Sequence, residues 1–270
     1  MFERFTADDM VLHGKAFAQD ELQHNLIHFI SEIADATKFK SIDGNLIFTQ
    51  STGHNPWLWV SNELEPEQRE KLVQELVEYV KDDGYGGISA EPETAKLFAR
   101  AFCEVKGALF HTSMMLEAYH CPEVIKPVNV RGHLQQATME HTATIAGFMA
   151  GFSEDAFGMQ AAKLEILLSM AEAAAGSGQM FLWMVEGIPV SMAKIAHRST
   201  KHARINDVYT LPFHRKQGYA SALVAELCAQ LLLEKLTPML YADAKNPDSN
   251  KVYQSIGFVE AGRIADIKFD

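Results

Sequence analysis

The chain is poor in cysteine, poor in proline and without a long apolar run. Its three cysteines, Cys103, Cys121 and Cys228, are odd in number and follow no metal-ligand spacing. That argues against a disulfide framework and a zinc finger and points to reduced, buried thiols. Nine prolines and 17 glycines among 270 residues are too few for a collagen-like or low-complexity chain. No stretch approaches the roughly 18 apolar residues that a bilayer span needs. The opening Met-Phe-Glu-Arg-Phe-Thr-Ala-Asp-Asp lacks the basic-then-apolar order of a signal peptide, so the expected location is cytoplasmic. Positive charge is scarce too: 24 Lys and Arg face 35 Asp and Glu, a net charge of -11. The deficit is uneven, with 11 basic against 21 acidic residues in 1–126 and 13 against 14 in 127–270. An acidic first half repels a phosphate backbone, so neither nucleic acid nor a membrane is an expected partner.

What is present is apolar material for a substantial core, 47% of the residues. In the first half, residues 20–38 carry Leu22, Leu26, Phe29, Ile30 and Ile33 at helical spacing and predict one helix. Segments 45–49 and 56–60 alternate as strands, and Trp57 and Trp59 are expected in the core. Pro66, Glu67 and the stripe Leu72, Val73, Leu76, Val77, Val80 predict a helix over 66–81. A strand at 87–90, a helix at 92–101 and a strand at 109–119 follow. His24 and His28 are four residues apart, but without an H-E-x-x-H pattern they read as a surface or partly buried pair, and no metal is expected. Two prolines in 121–127 mark the best boundary, between domains 1–126 and 127–270.

The second half reads as a strand at 130–137, helices at 140–152 and 156–175, and a hairpin of 179–185 and 188–197 turning at Glu186-Gly187. A strand at 204–210 is stopped by Pro212, and a basic loop leads through Gly218 into a helix running to 233. Strand, tight loop and helix start make an anion site, because the first helical N–H groups lack partners and the dipole favours negative charge there. A strand at 238–243, a short helix at 248–255 and a strand at 257–268 complete the chain.

Arg215-Lys-Gln-Gly-Tyr-Ala220 resembles the pyrophosphate loop, R/Q-x-x-G-x-G/A, of the GCN5-related N-acetyltransferase (GNAT) superfamily. Asn246-Pro-x-Ser-Asn-x-x-Tyr253-x-x-x-Gly-Phe258 resembles that superfamily's closing signature. The resemblance covers roughly residues 130–270. It implies an α/β (α+β mixed sheet) acyl-CoA N-acyltransferase fold. It also implies an enzyme moving an acetyl group from acetyl-CoA to the primary amine of a small molecule or amino-acid-like acceptor. A non-catalytic acyl-CoA sensor and an acyltransferase with another donor or acceptor are the alternatives. The element order of the first half repeats that of the second, and Glu91-Pro92-Glu93-Thr94 and Phe98 sit like Asn246-Pro247-Asp248-Ser249 and Tyr253. The chain is therefore expected to be tandem, with an inactive first copy serving packing, the substrate cleft or a homodimer contact.

Under the resemblance, backbone N–H groups of Arg215, Lys216, Gln217, Gly218, Tyr219 and Ala220 cradle the pyrophosphate. Val208, Tyr209 and Thr210 offer a strand edge to the pantetheine arm, and Asn246 and Asn250 lie near the cofactor. Tyr253 protonates the leaving thiolate, since a phenol stays protonated at neutral pH. Thr138, His141, Phe148, Phe152, Phe157 and Gln160 fall on the acceptor side. The position where some relatives carry a glutamate base is Arg204, which cannot take a proton. Water, His141 and Asp207 stay open as the route for deprotonation.

Overall fold

The computed structural model describes residues 2–158 and 160–270; Met1, Met159 and the Phe157 side chain lie outside the described residues. The strands are β1 (Phe2–Arg4), β2 (Thr37–Ser41), β3 (Leu46–Gln50), β4 (Trp57–Val60), β5 (Gly87–Ala90), β6 (Phe110–His120), β7 (His133–Gln136), β8 (Met180–Val185), β9 (Ile188–Arg198), β10 (His202–Thr210), β11 (Thr237–Asp243) and β12 (Val259–Phe269). The helices are α1 (Lys15–Asp20), α2 (Leu26–Glu32), α3 (Pro66–Val80), α4 (Pro92–Lys106), α5 (Thr142–Phe157), α6 (Leu164–Gly176), α7 (Tyr219–Leu233) and α8 (Pro247–Ser255). The chain divides into two compact units. One holds the chain up to Tyr119 with Tyr241–Asn246 and Glu260–Asp270, the other His120–Leu240 with Pro247–Val259.

In the first unit the strand order is β1-β2-β3-β4-β5-β12-β6. β4 and β5 run parallel, as a helical crossover between them requires, while β1 to β4 pair antiparallel. Both faces of the sheet are covered, so successive residues of β3 are buried on opposite sides. Leu46 and Phe48 pack with Val73, Leu76 and Val77 of α3 and Phe98 and Phe102 of α4. Ile47 packs with Trp57, Trp59 and the Phe17, Ile27 and Ile30 of α1 and α2. Asp266 fixes the register of the inserted β12: it accepts from Asn55 Nδ2 (3.1 Å), Ser89 Oγ (3.1 Å) and Ser113 Oγ (2.9 Å).

The single helix expected over 20–38 is two short helices followed by β2. Polar side chains break it. The Asp20 carboxylate accepts from Trp59 Nε1 (2.9 Å), and Lys38 Nζ satisfies the Ser31 and Ile33 carbonyls (3.0 and 2.8 Å). His24 and His28 are both buried, not surface residues. Burial pushes the His24 imidazole down to about 4 against its hydrogen bond to the Asp20 carbonyl, and His28 Nε2 stands 3.2 Å from Glu21. Helix α4 runs on to Lys106, where Gly107 (φ 66°) ends it.

In the second unit the order is β7-β8-β9-β10-β11. The first four form an antiparallel meander and β11 joins β10 in parallel. Ile145 and Phe148 of α5 and Leu167 and Ala171 of α6 bury Met180, Leu182, Met192 and Tyr209 of the sheet. Phe181 and Trp183, alternating with these, are buried as well, and α7 packs on β8 and β9. Helix α6 begins only at Leu164, eight residues later than its spacing predicts. The proline-bearing segment after β6 is held by backbone bonds, Cys121 N–H to Pro238 C=O (2.8 Å) and Ile125 N–H to Ile256 C=O (3.0 Å).

Candidate active site

The junction from β10 to α7 departs from regular structure on both edges of the strand. Toward β11 the parallel pairing runs from His202↔Thr237 to Arg204↔Met239, and β10 continues for six residues beyond it. Toward β9 the register jumps from Asn206↔Lys194 to Tyr209↔Met192, so Asp207 and Val208 stand opposite Ala193 alone. This is a β-bulge, and Asp207 adopts φ 52° within it. Backbone groups here are thus released from the ladder, although the Tyr209 carbonyl accepts from Ser191 Oγ (2.8 Å) and that of Thr210 from Arg215 Nε (3.0 Å).

After Pro212–His214, a single 3-10 turn, Lys216 (φ 61°) and Gly218 (φ 82°) both take the left-handed conformation. Gly218 is the N-cap of α7, and no side chain caps that helix. The first intrahelical bond is Ala222 N–H to Gly218 C=O (2.9 Å), which leaves the N–H groups ahead of it without helix partners. A Cβ at Gly218 would come 3.1 Å from Val130 Cγ2. An open helix end with left-handed residues beside it concentrates N–H groups on one anion, so these residues fit a diphosphate.

The side chains of the loop point elsewhere. Arg215 pairs with Asp155 at the end of α5 and lies over the Tyr209 ring, 5.5 Å from its centroid. The Tyr209 hydroxyl lies against α5 where Gly151 has no Cβ; one added there would meet that oxygen at 2.2 Å. Tyr219 is buried and its hydroxyl donates to Gln217 Oε1 (2.9 Å). Lys216 is exposed. Only backbone groups and the Lys216 ammonium are therefore free of the loop's own packing.

Helix α8 packs against α7 and carries Tyr253, 7% exposed, with its ring edge-on to Phe258 at 5.7 Å. Burial pushes the Tyr253 phenol above its ordinary value, and a hydrogen bond with Ser249 opposes that shift. Asn250 is half-buried on the same helix. Asn246 closes the segment assigned to the first unit, its N–H bonded to Asp243 C=O (3.0 Å).

On the acceptor side, His141 Nδ1 accepts the Thr138 backbone N–H (3.1 Å) and touches Thr138 Oγ1 (2.9 Å). The neutral ring then carries its proton on Nε2 and has no lone pair left to offer there. Asp207 has the opposite character. Burial raises its carboxyl above the usual range, and the fields of Lys194 and Arg204 lower it. Phe148 is core, 6.0 Å from the Tyr209 ring, and Gln160 is exposed. Phe152 is half-buried against the same core, and the side chain of Phe157, the last acceptor-side candidate, lies outside the described residues. Lys194 escaped sequence reasoning, because only the register of β9 on β10 brings it opposite Asn206. Among the described residues no group of three or more His, Cys, Asp or Glu is placed to hold a metal ion.

The profile of the Acetyltransferase (GNAT) family matches residues 138–258, which span β10, the loop, α7 and Tyr253. Over those residues, somewhat under half of the chain, the sequence is similar to that family. Solved structures share the fold of this chain. One is an acetyltransferase from the GNAT family of Colwellia psychrerythraea (16% identity, 100% of each chain covered, TM-score 0.60). Another is a GCN5-related N-acetyltransferase from Sphaerobacter thermophilus (15%, 100% of this chain and 95% of that one, TM-score 0.64). A third, from Kribbella flavida, is 12% identical over 94% and 96% of the two chains, with TM-score 0.58. No curated protein is matched by the sequence. Among the described residues no helix is long and apolar enough to cross a membrane.

Proposed function

We propose that the chain is an acetyl-CoA-dependent N-acetyltransferase acting on a primary amine of a small-molecule acceptor. The observation that carries this reading is the α7 N-terminus, uncapped by any side chain and entered through Gly218 at φ 82°. Its backbone N–H groups hold the pyrophosphate, and Lys216 adds charge. The strand edge of Val208, Tyr209 and Thr210, beyond the last β11 pair, receives the pantetheine amides. Asn250, on α8 of the same unit, lies near the same arm.

Acetyl transfer joins the amine nitrogen to the thioester carbonyl carbon and breaks the carbon–sulfur bond. Asp207 takes the proton that the amine loses, and its burial-raised carboxyl is better matched to an ammonium than an exposed one. Tyr253 gives its phenolic proton to the departing sulfur. Burial keeps that proton in place at neutral pH.

The first unit is read as an inactive copy. Its order β4-α3-β5-α4, with β4 parallel to β5, supports this beside β10-α7-β11-α8, with β10 parallel to β11. Phe98, where the second copy has Tyr253, is core and has no proton to give.

Thiol release from acetyl-CoA in the presence of small amines tests the activity. Tyr253→Phe should lower kcat by about a hundredfold or more while leaving acetyl-CoA affinity within about twofold. Equal loss of binding and turnover would instead make Tyr253 a packing residue.

A further inference from the structure

We infer that the acceptor carries a carboxylate close to its amine, as an α- or β-amino acid does, and that the Lys194 ammonium is the anchor for that carboxylate. This deepens the acetyltransferase reading and rests on it.

The argument begins with a break in pattern. Met180, Leu182 and Met192 face α5 and α6 in one apolar cluster. Lys194 is two residues from Met192 and directly paired with Met180, so it points from the same sheet face. Alternation predicts an apolar residue there, and the chain has a half-buried lysine. On its other side Lys194 pairs with Asn206, which therefore shares that face too. The Asn206 Oδ1 atom is buried and has no hydrogen-bond partner among the described residues. An unmet buried acceptor costs about 1–3 kcal/mol, which an ammonium or amine N–H would recover. Next in the chain is Asp207, in the bulge, in the electrostatic field of Lys194.

Three groups of different character are thus placed side by side beyond the apolar cluster: a cation, an amide oxygen and a carboxylate. A zwitterion complements them. Its ammonium meets Asn206 Oδ1 and Asp207, and its carboxylate meets Lys194. A plain amine would leave the half-buried ammonium of Lys194 without a counter-charge from the substrate.

The test uses matched pairs: glycine with methylamine, β-alanine with ethylamine, and phenylalanine with phenethylamine, followed by thiol release from acetyl-CoA. At equal free-base concentration the amino acid should have kcat/KM about tenfold or more above its decarboxylated partner. Lys194→Met should raise KM for amino acids about tenfold more than for phenethylamine, and leave acetyl-CoA affinity by calorimetry unchanged. Lys194→Arg should retain most of the preference. Decarboxylated amines used as well as amino acids would overturn the inference. So would equal losses on both classes in Lys194→Met, or an acetyl-CoA-binding chain that acetylates none of the amino acids. Failure of the unaltered chain to bind acetyl-CoA would sink the acetyltransferase reading itself, and calorimetry separates that outcome from the others.

Discussion

The chain builds a parallel-strand-to-helix junction twice, from β4 into α3 and from β10 into α7, and finishes them differently. At the first, Glu65 and Gln68 form a capping box, with the Glu65 N–H donating to Gln68 Oε1 (3.2 Å). Glu63, Glu65, Glu70 and Glu93 line the hollow beside it, about 530 Å³ in volume. The preceding strand pairs with β3 in unbroken register from Leu46↔Val60 to Thr49↔Trp57. At the second junction the strand is bulged, the helix end has no side-chain cap, and the flanking charges are Arg215 and Lys216. A helix N-terminus satisfied by its own carboxylate repels phosphate, and one left open invites it. The difference separates a junction closed by its own side chains from one that they leave open.

The largest effect expected from blurring this contrast is at the bulge. Asp207→Asn should lower kcat/KM by about a hundredfold at neutral pH and leave acetyl-CoA affinity unchanged. The sign of the pH dependence follows from the shift. A carboxyl raised by burial must lose its proton before it can act, so activity should fall as pH drops through a value above the ordinary carboxylate range. Losing Lys194 removes a field that lowers that value, so the acid limb of the Lys194→Met profile should move to higher pH. A profile unchanged in Asp207→Asn would assign deprotonation to water.

Gly218→Val comes next. It places a β-branched residue at φ 82° with its Cβ 3.1 Å from Val130. Left-handed backbone costs an L residue about 1–2 kcal/mol, so acetyl-CoA affinity should fall about five- to thirtyfold. Lys216→Ala, which leaves the backbone intact, should cost less than fivefold. Equal losses would mean that side-chain charge, not the backbone, holds the diphosphate.

A smaller effect is expected at Asp155→Asn. Arg215 is tied to Asp155, to the Thr210 carbonyl and to the Tyr209 ring, which makes it a positioning residue for the strand end. Both charged groups are nearly half exposed, and such pairs contribute no more than about 1 kcal/mol. Acetyl-CoA affinity should weaken about three- to fivefold, and Arg215→Gln in the same chain should add little more. Tighter binding in Asp155→Asn would show Arg215 to be a phosphate ligand held off by its partner.

Much of the junction was legible in the sequence because local chemistry writes it. Pro212, Gly218 and the run from 220 to 233 mark strand end, left-handed turn and helix without reference to any neighbour. The helices over 66–81 and 248–255 fall within two residues of α3 and α8 for the same reason. What stayed hidden depends on partners far along the chain. The break at Asp20 needs Trp59, and the pairing of Lys194 with Asn206 needs the bulge. The return of Tyr241–Asn246 and Glu260–Asp270 to the first unit needs Asp266 among Asn55, Ser89 and Ser113. Periodicity reports which residues are buried, not which sheet buries them. Arg215 shows the limit from the other side: the sequence places it in a basic loop ahead of a helix, and its guanidinium is committed to Asp155.

The smallest expected effect tests the finished junction. Glu65→Ala removes the carboxylate that serves the α3 N-terminus, and a lost N-cap costs about 0.5–2 kcal/mol. Urea unfolding should show that loss at unchanged m-value, with acetyl-CoA affinity unaltered, because α3 has no part in the site. The substitution also re-exposes helix N–H groups of the kind proposed to hold the diphosphate at α7. If the open helix end were sufficient, Glu65→Ala would create weak phosphate binding at the first junction. It should not, because no residue between Val60 and Pro66 takes a positive φ, and Glu63 and Glu67 remain beside the helix start. Calorimetry with inorganic phosphate at up to 10-fold salt excess is the discriminating measurement. Heat of binding there would mean that the cap alone, and not the turn that leads into the helix, separates the two halves of this chain.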